Sequence, residues 1–460
     1  MNNFSDIRNL YKDCFLSSLR RIYVFYILCF LIISLLKKDF LPSMEILSIQ
    51  LLLFFILVLT TFFYLPNTSI NKILKGVFTY QLLTSIILRV FNILNFQNPL
   101  GYRPNDALFY HNLGIKFANQ DTSSLFAYID ILGFQNDDKG FPFIVRLIYS
   151  IFGMMYGIQA LLIFNIFVVT ISVYFLYKLA LNFISEKYAC YISFIWGVLP
   201  FSVYTSSVGL KENILSLIIV ASMYFLYKCQ TSFSFSNITL FLFFSIMTLY
   251  FRTALFYMLL GSFLFMILIK YSYIIRRYIK IFIIVFGIIS MSSLPLLVDK
   301  IGSDRGGVSY ETITNGTKEI HEKNGKGLIP QATVFIAAVI GPFPSFVSTP
   351  EKNNYITLYN FTAFYKMIIS FFFLCAIYWI YKFNITKFYP LLLFTIMHML
   401  MLILTSYSLH DRYQWPHIPC FLIIAIWGMH GWYTKSRKSK MYNYYILFVL
   451  LLIVVFNCRM

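Results

Sequence analysis

Most of the chain consists of apolar runs separated by short polar connections. A helix needs about 20 apolar residues to cross a bilayer core of about 30 Å, and lipid offers no partner to an unpaired backbone group. The pattern therefore predicts an all-α, polytopic transmembrane helix bundle with about 13 spans. The predicted spans lie near residues 22–36, 46–65, 76–93, 158–181, 188–203, 214–227, 238–250, 254–269, 281–298, 367–381, 388–405, 418–429 and 444–456.

Two long polar segments, 95–140 and 299–329, interrupt this pattern. The stretch 141–157 is apolar but short, and it contains Pro142 and Arg146, so we predict a juxtamembrane helix rather than a span. The chain is thus predicted to be one integral membrane domain, residues 1–460, with two outer loops. Outer loop 1, residues 95–157, includes this helix, and outer loop 2 covers residues 299–357.

Charge indicates the orientation of the predicted bundle. The formal net charge is +19 at pH 7, and basic residues cluster in short connections such as 8–21, 276–280 and 435–440. Basic clusters at alternate connections follow the positive-inside rule. The N-terminus is therefore predicted to lie in the cytoplasm, and both long polar segments on the outer face of a bacterial cytoplasmic (inner) membrane.

Composition excludes several classes of protein. Hydrophobic residues make up 59% of the chain and charged residues only 12%, whereas a typical soluble domain has about 25% charged residues. A soluble or nucleic-acid-binding protein is therefore excluded, and no nucleic acid partner is expected. The seven cysteines show no paired spacing and are interpreted as buried thiols.

The segment 103–112, after the third predicted span, contains residues that can do chemistry. A short helix would place Asp106 and Tyr110 on one face, and a carboxylate backed by aromatic rings at a membrane surface can act as a general base. Asp106 is the candidate catalytic residue, and Arg103, Tyr110 and His111 are candidate substrate-binding residues. The alternative is that Asp106 only caps a surface helix.

Three further polar clusters fall at predicted outer ends of spans. Arginine offers a planar fork that matches phosphate oxygens, so these clusters indicate an anionic ligand such as a lipid phosphate. Two alternatives stay open: Lys211 and Glu212 pair with each other and only cap a span, and Arg412 is an interfacial anchor. The remaining substrate-binding candidates are Lys211, Glu212, Arg252, His410, Arg412 and Tyr413.

Spacing gives little support to a metal site. The six histidines show no HExxH pattern, and no Gly-rich phosphate-binding motif is present. His398 and His430 fall in apolar runs and are interpreted as core residues with satisfied hydrogen bonds. Arg89, inside the third span, is close enough to its edge to extend its guanidinium toward the surface.

These clusters, in this order, resemble the GT-C superfamily of membrane glycosyltransferases, in particular the branch of protein O-mannosyltransferase-like and lipid A aminoarabinose transferase-like enzymes. The family's early outer loop with Asp and Tyr is similar to 106–111, and its Gly/Pro-led amphipathic helix to 140–153. Its Pro-and-Ser turn with charged residues is similar to 200–212, and its Arg-Tyr followed by Pro to 412–416. Two extra spans are predicted before the Asp loop, whereas the family usually has one span there. The N-terminal part of the chain therefore departs from the family pattern.

The resemblance implies a reaction in which a sugar leaves a polyprenyl phosphate with inversion at the anomeric carbon. Asp106 would deprotonate the acceptor hydroxyl, and Lys211, Arg252 and Arg412 would hold the lipid phosphate. The implied partners are a polyprenyl-phosphate-linked or pyrophosphate-linked sugar donor, a glycan or glycolipid acceptor, and membrane lipid. No cofactor is predicted with certainty, and because some members of the family need a divalent cation, such an ion at Asp106 stays open.

Two other functions fit the same architecture. One is an O-antigen or capsule polysaccharide polymerase that joins undecaprenyl-pyrophosphate-linked repeat units. The other is a lipid-linked sugar flippase or transporter, which predicts internal repeats and ionisable residues near the middle of several spans. We expect a membrane glycosyltransferase of bacterial cell-surface polysaccharide (O-antigen, capsule or lipopolysaccharide) biosynthesis, because the charges fall at outer ends, two long loops lie outside, and no internal repeat is visible.

Overall fold

The computed structural model describes residues 69–101, 105–118, 139–271, 328–343, 356–404, 411–435 and 440–458. Every regular element in these ranges is a helix, which confirms the all-α prediction for this part of the chain. In chain order the α-helices are α1 (Ile70–Phe96), α2 (Asn105–Ala118), α3 (Gly140–Ala180), α4 (Glu186–Val198), α5 (Pro200–Val208), α6 (Glu212–Thr231), α7 (Phe235–Met247), α8 (Thr253–Tyr271), α9 (Leu328–Val339), α10 (Ile356–Lys382), α11 (Tyr389–Leu404), α12 (Asp411–Gln414), α13 (Ile418–Lys435) and α14 (Met441–Cys458). Short 3-10 turns occupy Thr248–Tyr250, Thr386–Phe388 and Trp415–His417.

Several of these helices could cross a membrane. Within the described residues, six segments are long and apolar enough, and α4 with α5 would make a seventh if the bent pair counts as one span. The six are Ile70–Leu94, Gly140–Ala180, Glu212–Thr231, Thr253–Lys270, Tyr365–Lys382 and Thr386–Leu404. The number of about 13 spans stays a prediction. The spans expected near 22–36, 46–65 and 281–298 lie outside the described residues.

The segment predicted as one span near 188–203 consists of two helices that meet at 44°. The ψ angle of Leu199 is 133°, which is outside the helical region, and Pro200 opens α5. Proline is tolerated at this first helical position, since the N–H that it lacks would have no partner within the helix. The bend therefore follows from a single residue of the sequence.

Helix α3 contains the predicted juxtamembrane helix and the span that follows it. Its backbone is not helical at Gly153, where φ is +67° and ψ is −179°. A Cβ atom at this position would meet no atom within 4 Å, so backbone conformation rather than space requires a glycine here. The break between the two parts falls at Gly153, slightly earlier than the predicted boundary at residue 157.

The helices run between two ends of the bundle. At one end, called the site end, the first turns of α2 and α6 meet α12 through side-chain contacts. At the other end, Tyr227 near the end of α6 donates to the carbonyl of Lys387 at 2.8 Å and accepts from the N–H of Leu391 at 3.2 Å. Lys270 of α8 donates to the carbonyl of Gln230 at 2.9 Å at the same level. This second end, formed by the last turns of α3, α6, α8 and α10 and the first turn of α11, is called the lysine end.

The four cysteines whose side chains the structure describes are free thiols. Cys190, Cys229 and Cys420 are buried, and Cys375 is half-buried. The interpretation as buried thiols is therefore confirmed for Cys190, Cys229 and Cys420, and Cys375 is only partly buried.

A close contact between α1 and α4 depends on Gly197. A Cβ atom at Gly197 would lie 2.6 Å and 2.7 Å from the two γ-methyl carbons of Val77, and 2.9 Å from Cγ2 of Val173. Gln81, one turn after Val77, donates to the carbonyl of Gly197 at 2.6 Å and to the hydroxyl of Ser202 at 2.9 Å. Small residues at helix contacts allow backbones in a membrane to approach and hydrogen-bond in this way.

We predict that Gly197→Ala destabilises the protein by about 1–3 kcal/mol, since the added methyl group overpacks the contact with Val77. Val77→Ala in the same molecule should restore part of this loss because it removes both clashing methyl groups. The measurement is the apparent melting temperature of the full chain purified in detergent. An equal melting temperature for the single and the double variant would contradict the close contact.

Candidate functional site

Three of the candidate residues meet at the site end, although they are far apart in the sequence. Arg412 of α12 donates from Nε to Oε1 of Glu212, at the start of α6, and from Nη1 to Oδ2 of Asp106, at the start of α2. The partners are separated by 200 and 306 residues. We call these three residues the arginine bridge.

Exposure increases steadily across the arginine bridge. The side chain of Glu212 is 1% exposed, that of Arg412 is 27% exposed, and that of Asp106 is 53% exposed. The second carboxylate oxygen of Glu212, Oε2, is buried and has no hydrogen-bond partner among the described residues. Asp106 is therefore the carboxylate that a ligand can reach, while Glu212 holds Arg412 from beneath.

The local sequence favours two carboxylates here because both lie in the first turn of a helix. The helix dipole stabilises negative charge at that position. Burial lowers the pKa of Arg412, but the carboxylates of Glu212 and Asp106 raise it by more, so the net shift is upward. Arg412 thus stays a cation and can act only through hydrogen bonds and charge.

Two further cations lie beside the bridge. The guanidinium of Arg252 is 4.8 Å from the centre of the Tyr413 ring, the geometry of a cation–π interaction. Lys211 directly precedes Glu212 at the N-cap position of α6 and is buried. Three cations and two carboxylates are therefore collected around α12, and every one of these residues was a candidate from the sequence.

Tyr110 and His111 are on α2 but contact α3 instead of Arg412. Tyr110 is buried, and its ring meets that of Phe141 edge-on with centroids 4.7 Å apart. Nδ1 of His111 is 2.6 Å from the hydroxyl of Tyr149. Burial and the charge of Arg89 lower the pKa of His111. Tyr110 follows Asp106 by four residues on α2, but its ring belongs to the core and not to the exposed site.

A layer of buried polar contacts supports α12. Lys366 donates to Oε1 of Gln414 and to the carbonyl of Ala338 at 3.0 Å, and Gln414 donates to the carbonyl of Ala337 at 2.9 Å. Lys366 is 2% exposed. The sequence analysis missed this role, although a lysine directly before the predicted span 367–381, at its outer end, contradicts the positive-inside pattern and was an available signal.

Below this layer the chain continues into the core through aromatic contacts. The indole of Trp415 stacks on that of Trp196, with centroids 4.3 Å apart and planes inclined by 25°. Nδ1 of His417 lies 2.9 Å from Nδ1 of His398, and both rings are fully buried. The Nε2 atoms of both histidines have no partner among the described residues, so the expectation that His398 is fully satisfied is wrong.

The other predicted residues divide into two groups. Arg89 donates to the carbonyl of Ser207 at 2.9 Å and to that of Ile158 at 3.0 Å, so it ties α1 to α5 and α3. Arg103 and His410 lie outside the described residues. Within the described ranges no group of three or more side chains is placed to bind a metal ion. A divalent cation at Asp106 therefore stays a prediction.

Comparison with family models, curated proteins and solved structures gives no match for this chain.

We predict that Glu212→Ala lowers the apparent melting temperature more than Asp106→Ala does. Truncating Glu212 removes the buried charge partner of a mostly buried guanidinium, and a hydrogen bond to a charged group contributes about 1.5–3 kcal/mol. Asp106 is mostly exposed, and exposed ion pairs contribute about 0–1 kcal/mol. Thermal unfolding of the purified variants measures both effects, with Lys116→Ala on the exposed face of α2 as a control. A larger loss for Asp106→Ala would contradict the burial order.

Proposed function

We propose that this chain is a membrane glycosyltransferase that moves a sugar from a polyprenyl-phosphate-linked donor to a glycan or glycolipid acceptor. One observation carries the proposal. The exposed carboxylate of Asp106 is held by Arg412 beside two further cations, at one end of a bundle of apolar helices. A carboxylate next to a cation cluster suits a reaction that takes a proton from one reactant and leaves negative charge on the other.

Arg412 is the proposed phosphate ligand. Two of its five N–H groups are used by Glu212 and Asp106, and the described residues supply no acceptor for Nη2. A phosphate can accept hydrogen bonds from this remaining edge, since charge-assisted bonds from arginine to phosphate are strong. Arg252, stacked on Tyr413, would add a second positive charge on the same side.

Asp106 is the proposed general base. The acceptor hydroxyl gives its proton to the carboxylate, and its oxygen forms a bond to the anomeric carbon of the sugar. The bond from that carbon to the phosphate oxygen breaks, and its electron pair leaves with the lipid phosphate. A donor phosphate that draws Arg412 toward itself would also release Asp106 from the arginine bridge, so the base becomes available when the donor is bound.

We extend the proposal to bacterial cell-surface polysaccharide biosynthesis on the outer face of the inner membrane. A polymerase of pyrophosphate-linked repeat units is the variant of this proposal with a larger donor. The test below separates it from a single-sugar transferase.

A transporter is the second candidate function, and a specific observation favours it. Lys366, His398 and His417 are ionisable, fully or almost fully buried, and lie within or next to apolar helices. Ionisable residues inside a membrane domain are typical of proton and substrate pathways. The contacts of Lys366 with Gln414 and the carbonyl of Ala338 instead fit a structural role, so we rank transport second.

We predict that Asp106→Asn lowers sugar incorporation into surface glycan by about a hundredfold or more, the usual effect of losing a general base. The measurement is the banding pattern and labelled-sugar content of surface glycan in a deletion strain that carries wild type or variant. Lys116→Gln, on the exposed face of the same helix, is the matched control, and immunoblotting verifies equal protein levels.

Each outcome decides between functions. Bands that each lose the mass of one sugar support a single-sugar transferase, whereas a ladder that collapses to one repeat unit supports a polymerase. Unchanged glycan in the deletion strain would overturn the proposal and favour transport. Full incorporation with Asp106→Asn would overturn the role of Asp106.

A further inference from the structure

A five-residue motif recurs at the lysine end. The sequence Tyr-Phe-Leu-Tyr-Lys occurs at 174–178 in α3 and again at 224–228 in α6, and the variant Tyr-Trp-Ile-Tyr-Lys occurs at 378–382 in α10. All three copies lie in the final turns of long apolar helices that qualify as membrane spans. The recurrence therefore marks one level of the bundle, at which these apolar helices end.

In each copy the lysine lies over the ring of the first tyrosine. The ammonium groups of Lys178, Lys228 and Lys382 are 5.5, 5.7 and 5.5 Å from the ring centres of the tyrosines four residues earlier. A cation–π contact of this kind restricts a flexible lysine side chain. Each copy therefore presents an ammonium group held near its own helix.

Two of the copies are on neighbouring helices. The ring of Phe175 is 5.7 Å from that of Tyr224 and 6.0 Å from that of Phe225. These contacts join the motifs of α3 and α6 side by side, so Lys178 and Lys228 belong to one surface. Lys270 of α8 extends this surface through its bond to Gln230.

Acidic residues are scarce at this end of the bundle. Of the four acidic residues in the described ranges, Asp106, Glu212 and Asp411 lie at the site end, and Glu186 alone lies at the lysine end. Glu186 accepts a hydrogen bond from Tyr177 at 3.1 Å. The lysines near this end include Lys178, Lys228, Lys270, Lys382 and Lys387, together with Lys187 beside Glu186.

We propose that the lysine end is a binding surface for the phosphate headgroups of anionic membrane lipids, centred on the paired motifs with Lys178 and Lys228. Charge complementarity argues for this partner: among the described residues, several lysines and one carboxylate lie where these apolar helices end, and anionic headgroups are the negative groups expected at that level of a membrane. Lysines at helix C-termini are also favoured by the helix dipole. That effect alone would give no preference among lipids, so lipid preference is the property to measure.

The experiment uses the full chain purified in detergent, with phosphatidylglycerol or phosphatidylcholine of the same acyl chains added, and native mass spectrometry to measure bound lipid. The test variant is Lys178→Gln with Lys228→Gln, and the arginine pair at the same positions retains the charge. Lys116→Gln with Lys139→Gln removes two charges away from the lysine end and is the matched control.

We expect wild type to prefer phosphatidylglycerol and the glutamine pair to bind it roughly thirtyfold more weakly, from about 1 kcal/mol for each lysine. The arginine pair and the control should bind it like wild type. Equal binding of the two lipids by wild type, or an equal loss in the control, would overturn the proposal. If the glutamine pair does not fold, the second measurement is the effect of salt on wild type. Added salt should release phosphatidylglycerol, and bound phosphatidylglycerol that resists salt would overturn the proposal.

Discussion

The arginine bridge constrains the rest of the site end, because burial of Glu212 is costly unless its charge is paired. A carboxylate that is 1% exposed in a bundle of apolar helices needs a cation within hydrogen-bond distance, and Arg412 is the residue that supplies it. The same guanidinium must then reach Asp106 on a different helix. The side chain of Arg412 thereby links the positions of α2, α6 and α12.

The position of Arg412 depends in turn on polar contacts beneath it. Apolar side chains pack against lipid about as well as against each other, so hydrophobic burial alone does not fix how deep a segment such as α12 sits. Lys366 and Gln414 fix that depth by binding the last carbonyls of α9, and the Trp196–Trp415 stack fixes the direction of the chain. The register of the site is therefore set by a few polar and aromatic contacts, not by the general apolar pattern.

This division explains what could be predicted from the sequence. Apolar periodicity is a local property, so the helices and the break near Gly153 were within reach. Lys211 and Arg412 could be selected because cations at outer span ends contradict the usual pattern, and Asp106 because a carboxylate beside aromatic rings at a membrane surface can act as a base. The pairing of Arg412 with Glu212 and Asp106 across 200 and 306 residues could not be deduced, since it depends on which helices pack together. The pairing of His398 with His417 could not be deduced for the same reason. The burial of Tyr110 could not be deduced either, because helical spacing gives a face but not the neighbour it meets.

The two ends of the bundle use different cations, and the chemistry of each cation fits the difference. At the site end Arg412 is held by carboxylates and Arg252 by a ring, and a planar guanidinium can bind one anion in a defined geometry. At the lysine end the ammonium groups of Lys178, Lys228 and Lys382 are point charges on flexible stems, each over a tyrosine of its own helix, and they lie at three different helix ends. Point charges of this kind tolerate headgroups in many orientations. The planar guanidinium suits an anion that must be positioned for reaction. Several dispersed ammonium groups instead suit the many anionic headgroups of a lipid leaflet, which need no defined orientation.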